Sequence, residues 1–75
     1  MSQNKIHKMG KIRNEIIEKL ENAGIMLFII EEVSYSLKYL NYYKLQNIQE
    51  NINIFIGRIT NLNNSYIESL KNKSL

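Results

Sequence analysis

Apolar residues recur at strict helical spacing through the C-terminal part of this chain. Leu45, Ile48, Ile52, Phe55, Ile59, Leu62 and Tyr66 step by alternating threes and fours, and Leu70 follows four further on. A strand puts neighbouring side chains on opposite faces, so it cannot gather these residues. An α-helix turns about 100° per residue and sets them in one stripe. Proline is absent, so nothing in the chain forces a break. The pattern predicts a long helix over about 47–72. Asn47 with Glu50 three residues later has the form of a capping box and places the start.

Two further stripes lie upstream. Ile6, Met9, Ile16 and Leu20 share a face, joined by Ile12 and Ile17 beside it, which predicts a helix over about 3–22. Met26, Ile30, Val33, Leu37 and Leu40 predict a second over about 26–44. Between them stands Asn22-Ala23-Gly24. Glycine lacks the Cβ that makes left-handed backbone costly, so it commonly ends helices. A hairpin turning at Gly24 follows from this. The alternative is one unbroken helix over 3–44 that carries Gly24 inside, at a cost of about 1 kcal/mol relative to Ala. Either way the expected class is all-α; with the turn at Gly24 it is an antiparallel helical hairpin plus a third long helix, as a single small helical domain over 1–75. The expected core is Leu20, Leu27, Ile30, Leu37, Ile52, Phe55, Ile59 and Leu62.

Composition excludes several chemistries. The chain has 75 residues, no cysteine and one histidine. Disulfides, thiolate metal sites and multi-histidine metal sites are therefore ruled out, and no cofactor is implied. A chain this short needs helix-on-helix packing or self-association to support its core. Its longest apolar run, Ile25–Ile30, ends at Glu31-Glu32. A membrane span needs about 20 apolar residues, and no apolar run sits near the N-terminus as a secretory signal requires. The expected location is the cytoplasm.

The formal net charge is +3. Cations gather at Lys5, Lys8, Lys11 and Arg13 and again at Lys71 and Lys73, whereas residues 14–32 hold five Glu and one Lys. This is polarity along the chain rather than one basic groove, which argues against a nucleic-acid interface. His7 lies in a polar segment and reads as a solvated side chain. The 45–70 stripe is apolar and long, and a face of this kind left exposed associates with itself or with another protein. A self-associating module, or an inhibitor of a host protein of phage type, belongs to this class.

One segment carries a resemblance. Ile12-Arg13-Asn14-Glu15-Ile16-Ile17, then Gly24, then Ser34-Tyr35-Ser36-Leu37-Lys38-Tyr39-Leu40-Asn41-Tyr42-Tyr43-Lys44 follow one another without a gap in the spacing of a known pattern. The segment resembles the Spo-zero-E-like aspartyl-phosphate phosphatases, two-helix regulators of sporulation in Gram-positive bacteria. Their pattern is an Arg on helix one, a Gly in the interhelical turn and S-Q-E-L-D on helix two. The resemblance implies binding to the receiver domain of a phosphorylated response regulator, with Arg13, Ser34, Tyr35, Ser36 and Lys38 as partner-binding residues.

Within the S-Q-E-L-D motif only Ser34 and Leu37 persist, and Lys38 stands where the family has Asp. Hydrolysis of an acyl phosphate needs an acceptor that orients the attacking water. An ammonium has three donors and no acceptor. Lys38 can attract a phosphoryl group as a point charge but cannot orient that water. Glu31, one turn before Ser34, is the candidate catalytic carboxylate in its place. The expectation is a receiver-binding regulator in which Lys38 argues against hydrolysis.

Overall fold

The computed structural model describes residues 2–73, with side chains described for 4–73. Those residues form four helices: α1 (Ser2–Asn22), α2 (Leu27–Leu37), α3 (Tyr42–Glu50) and α4 (Ile52–Lys73). The all-α class is as expected, and the hairpin is present. The helix count and two of the boundaries differ from the sequence reading.

The turn at Gly24 excludes the unbroken helix. Gly24 has φ +77°, in the left-handed region. Its N–H donates to the Glu21 carbonyl at 3.1 Å, and the Ile25 N–H donates to the Leu20 carbonyl at 3.2 Å. These are the paired bonds of a Schellman motif, which satisfy carbonyls that the helix end would otherwise orphan. Leu20 and Ile25, which close the motif on its apolar side, are both buried in the core. A side chain at position 24 would find open space. The requirement for glycine is therefore one of backbone conformation alone.

The second helix ends at Leu37 rather than near 44. The N–H groups of Lys38, Tyr39 and Leu40 donate to carbonyls three residues back, at 3.2–3.3 Å. The last turn thus tightens toward 3₁₀ geometry. Asn41 then takes an extended backbone (φ −79°, ψ 174°), and its side chain accepts from the Lys44 N–H at 2.9 Å. Asparagine is among the best N-caps, and here it begins α3 at the point where the apolar spacing alone would continue α2.

The long C-terminal helix is likewise two helices. Asn47 sits inside α3 and is no cap. The break comes at Asn51 (φ −112°, ψ 35°), whose side-chain amide donates to both the Asn47 carbonyl and Asn47 Oδ1 at 2.9 Å. Asn51 in turn accepts from the Phe55 N–H at 3.0 Å, so α4 starts at once. One asparagine closes one helix and opens the next.

Packing centres on α1, which meets all three other helices, while α3 also meets α4. The core is Ile12, Ile16 and Leu20 of α1, Ile25 of the turn, Ile30 and Leu37 of α2, and Leu45 of α3. Ile16, Leu20 and Leu45 are essentially inaccessible. Full burial of one such side chain is worth about 1.5–3 kcal/mol. Gln49 of α3 ties back to α1 by donating to Glu15 Oε2 at 2.8 Å.

Three of the expected core residues, Leu20, Ile30 and Leu37, are buried, while Ile52, Phe55 and Ile59 are only half-buried. Leu27 and Leu62 are corrections: they remain 70% and 62% exposed. Leu27 is the first residue of α2, whose buried positions are Ile30 and Leu37; for Leu62 the cause lies in how α4 is rotated. Its covered side runs through Ile52, Phe55, Ile56, Ile59, Asn63 and Ile67, so the first half of the apolar stripe is partly covered while Leu62, Tyr66 and Leu70 stay exposed.

Asn63 is 5% exposed, the one buried polar residue among those described. Its Oδ1 accepts from the Met26 N–H at 2.9 Å. Met26 is the N-cap of α2 and has no side-chain cap of its own. An asparagine distant in sequence thus satisfies a backbone donor at the start of α2, and its own burial is offset by that bond.

Candidate partner-binding surface

The molecule measures 56 × 19 × 18 Å. A helix of the length of α4 spans about 33 Å. From Asn64 to Lys73, Ile67 alone is half-covered and the rest is exposed. The C-terminal half of α4 is therefore mostly exposed, and it carries Tyr66 and Leu70, each 41% exposed, beyond Leu62.

α2 and α4 both lean on α1 and approach each other less closely than either approaches α1. Near the start of α2 they meet through Phe28 and Tyr66, with ring centroids 4.6 Å apart and tilted by 54°. Further along they diverge. A groove of about 270 Å³ opens there, lined by Val33, Leu37, Leu40, Ile48, Phe55 and Ile59, with Glu32 and Ser36 as its polar members. Its walls come from α2, the following turn, α3 and α4. Apolar side chains predominate, and no arrangement of acid, base and nucleophile lines it.

The residues implied by the family resemblance are not gathered into one pocket. Arg13 is half-buried on α1, in a depression formed by its own helix with His7, Gly10, Asn14 and Glu18. A Cβ built on Gly10 would lie 3.9 Å from Arg13 Nη2, so the guanidinium lies back along α1. Ser34 is half-buried, while Glu31, Tyr35, Ser36 and Lys38 are exposed. Lys38 stands just past the last residue of α2 as its C-cap. Of this set only Ser36 reaches the apolar groove.

The tyrosines form a separate surface feature. Tyr39 donates a hydrogen bond to the Tyr35 hydroxyl at 3.1 Å, and the two rings meet edge to face with centroids 5.4 Å apart. That donated bond, more than burial, raises the Tyr39 phenol above its ordinary value of 10.0. Lys5 Nζ lies 5.6 Å from the centroid of the Tyr42 ring, within cation–π range.

Among the described residues no three His, Cys, Asp or Glu side chains are placed to hold a metal ion, and no helix is long and apolar enough to cross a membrane. Comparison with protein-family models, curated proteins and solved structures finds no match.

The sequence reading missed Asn63 and the groove. Asn63 gave no signal, because it lies in the polar run Asn61-Leu62-Asn63-Asn64 that reads as a weak stretch of helix. The groove residues were visible as members of two stripes. What was not visible is that α2 and α4 stand apart there instead of closing on each other.

Proposed function

We propose that this protein is a non-catalytic helical interaction module that docks an apolar helix of a protein partner on its α2–α4 face. The observation that carries this reading is the continuity of that face. On α4, Phe55 and Ile59 of the groove are followed at helical spacing by the exposed Leu62, by Tyr66, which meets Phe28, and by Leu70. Scattered exposed apolar residues are ordinary, but a contiguous apolar strip on a small protein marks an association surface. A cleft between two helices is the usual receptor for an amphipathic helix. Self-association through the 45–70 stripe falls within this reading.

Titration with an apolar fluorescent dye tests it. Dye fluorescence should rise on the parent protein and fall in Leu62→Glu, with the circular dichroism of the variant unchanged. A protein that binds no dye and stays monomeric at every concentration is not a docking module.

A second reading, a cytoplasmic receiver-binding regulator resembling the sporulation phosphatases, draws support from the α1–α2 turn. Gly24 takes left-handed backbone where that family places its interhelical glycine. In this reading Arg13, Ser34, Tyr35, Ser36 and Lys38 contact the receiver. Lys38 holds the phosphoryl group as a point charge, and Glu31 is the candidate carboxylate. Incubation with a phosphorylated receiver domain decides it. An unchanged phosphate lifetime with no detectable complex removes the reading, whereas hydrolysis gained by Lys38→Asp marks a related but disabled site.

A further inference from the structure

We infer that the end of the molecule where α1 begins and α2 passes into α3 binds single-stranded nucleic acid, with exposed tyrosines stacking on bases and lysines meeting phosphates. This goes beyond helix docking, and none of these rings or lysines lines the α2–α4 groove.

The first observation is charge that the fold gathers. Residues 1–14 and 33–49 hold six Lys and Arg and no Asp or Glu. In the chain an acidic stretch separates them. Two contacts bring them together. Lys5 Nζ lies 5.6 Å from the centroid of the Tyr42 ring, and Gln49 donates to Glu15. α3 therefore runs alongside α1 in the same direction, and its first turn sits against the cationic start of α1. Lys8 and Lys11 line one depression with Tyr42. Lys38 and Lys44 lie on either side of the α2–α3 corner, and all five lysines are exposed.

The second is what stands among those charges. Tyr39 and Tyr43, 73% and 77% exposed, are the most exposed large apolar side chains among those described, and they flank Asn41 at the corner. The Tyr39 ring is braced by Tyr35, through the hydroxyl bond and the edge-to-face contact. Tyr42 is held by Lys5 and by Gln46, whose amide donates to its hydroxyl at 3.2 Å. Braced rings lose little freedom when a base lands on them. Cations that follow a backbone and rings that take bases are the two parts of a single-strand site, and stacking tolerates any base because every base has a π-face.

The third is how other polyanions fit. Glu15 also lines the depression, but its carboxylate is engaged by Gln49. Glu32 lies about 10 Å along the axis before Tyr39, and Glu50 about 9 Å past Lys44. An acidic protein segment would use the lysines and leave the rings in water. A duplex keeps its base faces in its own stack. A lipid surface needs aliphatic side chains to enter it, and of the large apolar side chains exposed at this end only Ile6 is not a tyrosine.

Fluorescence anisotropy with labelled oligothymidylate and oligouridylate tests this, the pair separating DNA from RNA. Binding of either at low salt supports the proposal. On single strands log K falls by about 0.7 per phosphate neutralised for each tenfold rise in salt, so three or more engaged lysines should give a slope of about −2 or steeper. Lys38→Gln should weaken binding and flatten that slope by about 0.7. Tyr43→Leu should weaken binding at least about fivefold with the slope unchanged, which a merely electrostatic surface would not show. Lys73→Gln should change affinity less than about twofold, because α4 carries that residue past Met26 and Phe28 to the opposite end, far beyond a Debye length. No binding of either strand overturns the proposal. So does a duplex bound as tightly as a single strand. Polyglutamate that displaces the strand, with Tyr43→Leu binding like the parent, makes this a site for acidic protein segments instead. Phosphatidylserine vesicles bound in preference to both strands make it a membrane surface. All the substituted residues are exposed, and circular dichroism checks that each variant keeps the fold.

Discussion

α1 and α4 have nearly the same length and both carry apolar residues at helical spacing, yet they end in different circumstances. Ile12, Ile16 and Leu20 of α1 are buried, and α1 touches every other helix. In α4 no apolar residue is fully buried. The one buried side chain is an asparagine. The difference teaches that periodicity reports which residues can share a face, not whether anything covers that face. In a chain this small one helix can be surrounded, and α1 occupies that place. A helix at the edge keeps part of its stripe in water, where it is available to another chain.

The sharpest way to break this comparison is to cut a side chain from each helix. Leu20→Ala removes a fully buried group from the hub and should cost about 2–5 kcal/mol. Small domains have only about 5–15 kcal/mol in total, so thermal melting should show a large drop or no folded state. Phe55→Ala on α4 should cost about half of the roughly 3–5 kcal/mol expected for a fully buried Phe, because Phe55 is only half covered. If urea unfolding ranks Phe55→Ala above Leu20→Ala, the assignment of α1 as the hub is wrong.

Three smaller effects sharpen the contrast. Asn63→Ala removes the acceptor for the Met26 N–H and should cost about 1–3 kcal/mol, since that donor is left partly buried and unpaired. Amide exchange at Met26 should accelerate in this variant, which a general loss of packing would not single out. Gly24→Ala forces a Cβ into left-handed backbone and should cost about 1–2 kcal/mol, read as a lower denaturation midpoint with unchanged slope. Leu62→Ala should change the stability of the dilute monomer by less than about 0.5 kcal/mol, because the side chain is mostly in solvent. A loss of several kcal/mol there would place Leu62 in a core that the fold does not show.

The helical class, the first helix and the turn at Gly24 were legible from residue spacing and one glycine. The two breaks were not. Apolar phase runs through both Asn41 and Asn51, and each asparagine has to decide between continuing a helix and bonding its own side chain to nearby backbone. At Asn41 the side chain takes the Lys44 N–H, and at Asn51 it takes the Asn47 carbonyl. Asn47, which does have a capping-box partner at Glu50, is left inside α3. The residues expected for receiver binding were legible only as a string along α1 and α2, and Arg13 and Ser36 come to lie in separate surface depressions.

The order of residues alone determined that this chain makes rods with one greasy flank, because helical geometry is local and a spacing of three or four leaves no other solution. Tertiary packing decided which flank is hidden. Covering a face requires a neighbour at the right height and angle, and that depends on where all four helices stop. The same packing made Asn63 a core residue and left Leu62, its neighbour in sequence, in water. A turn of α4 about its own axis separates those two fates, and no pattern within α4 specifies it.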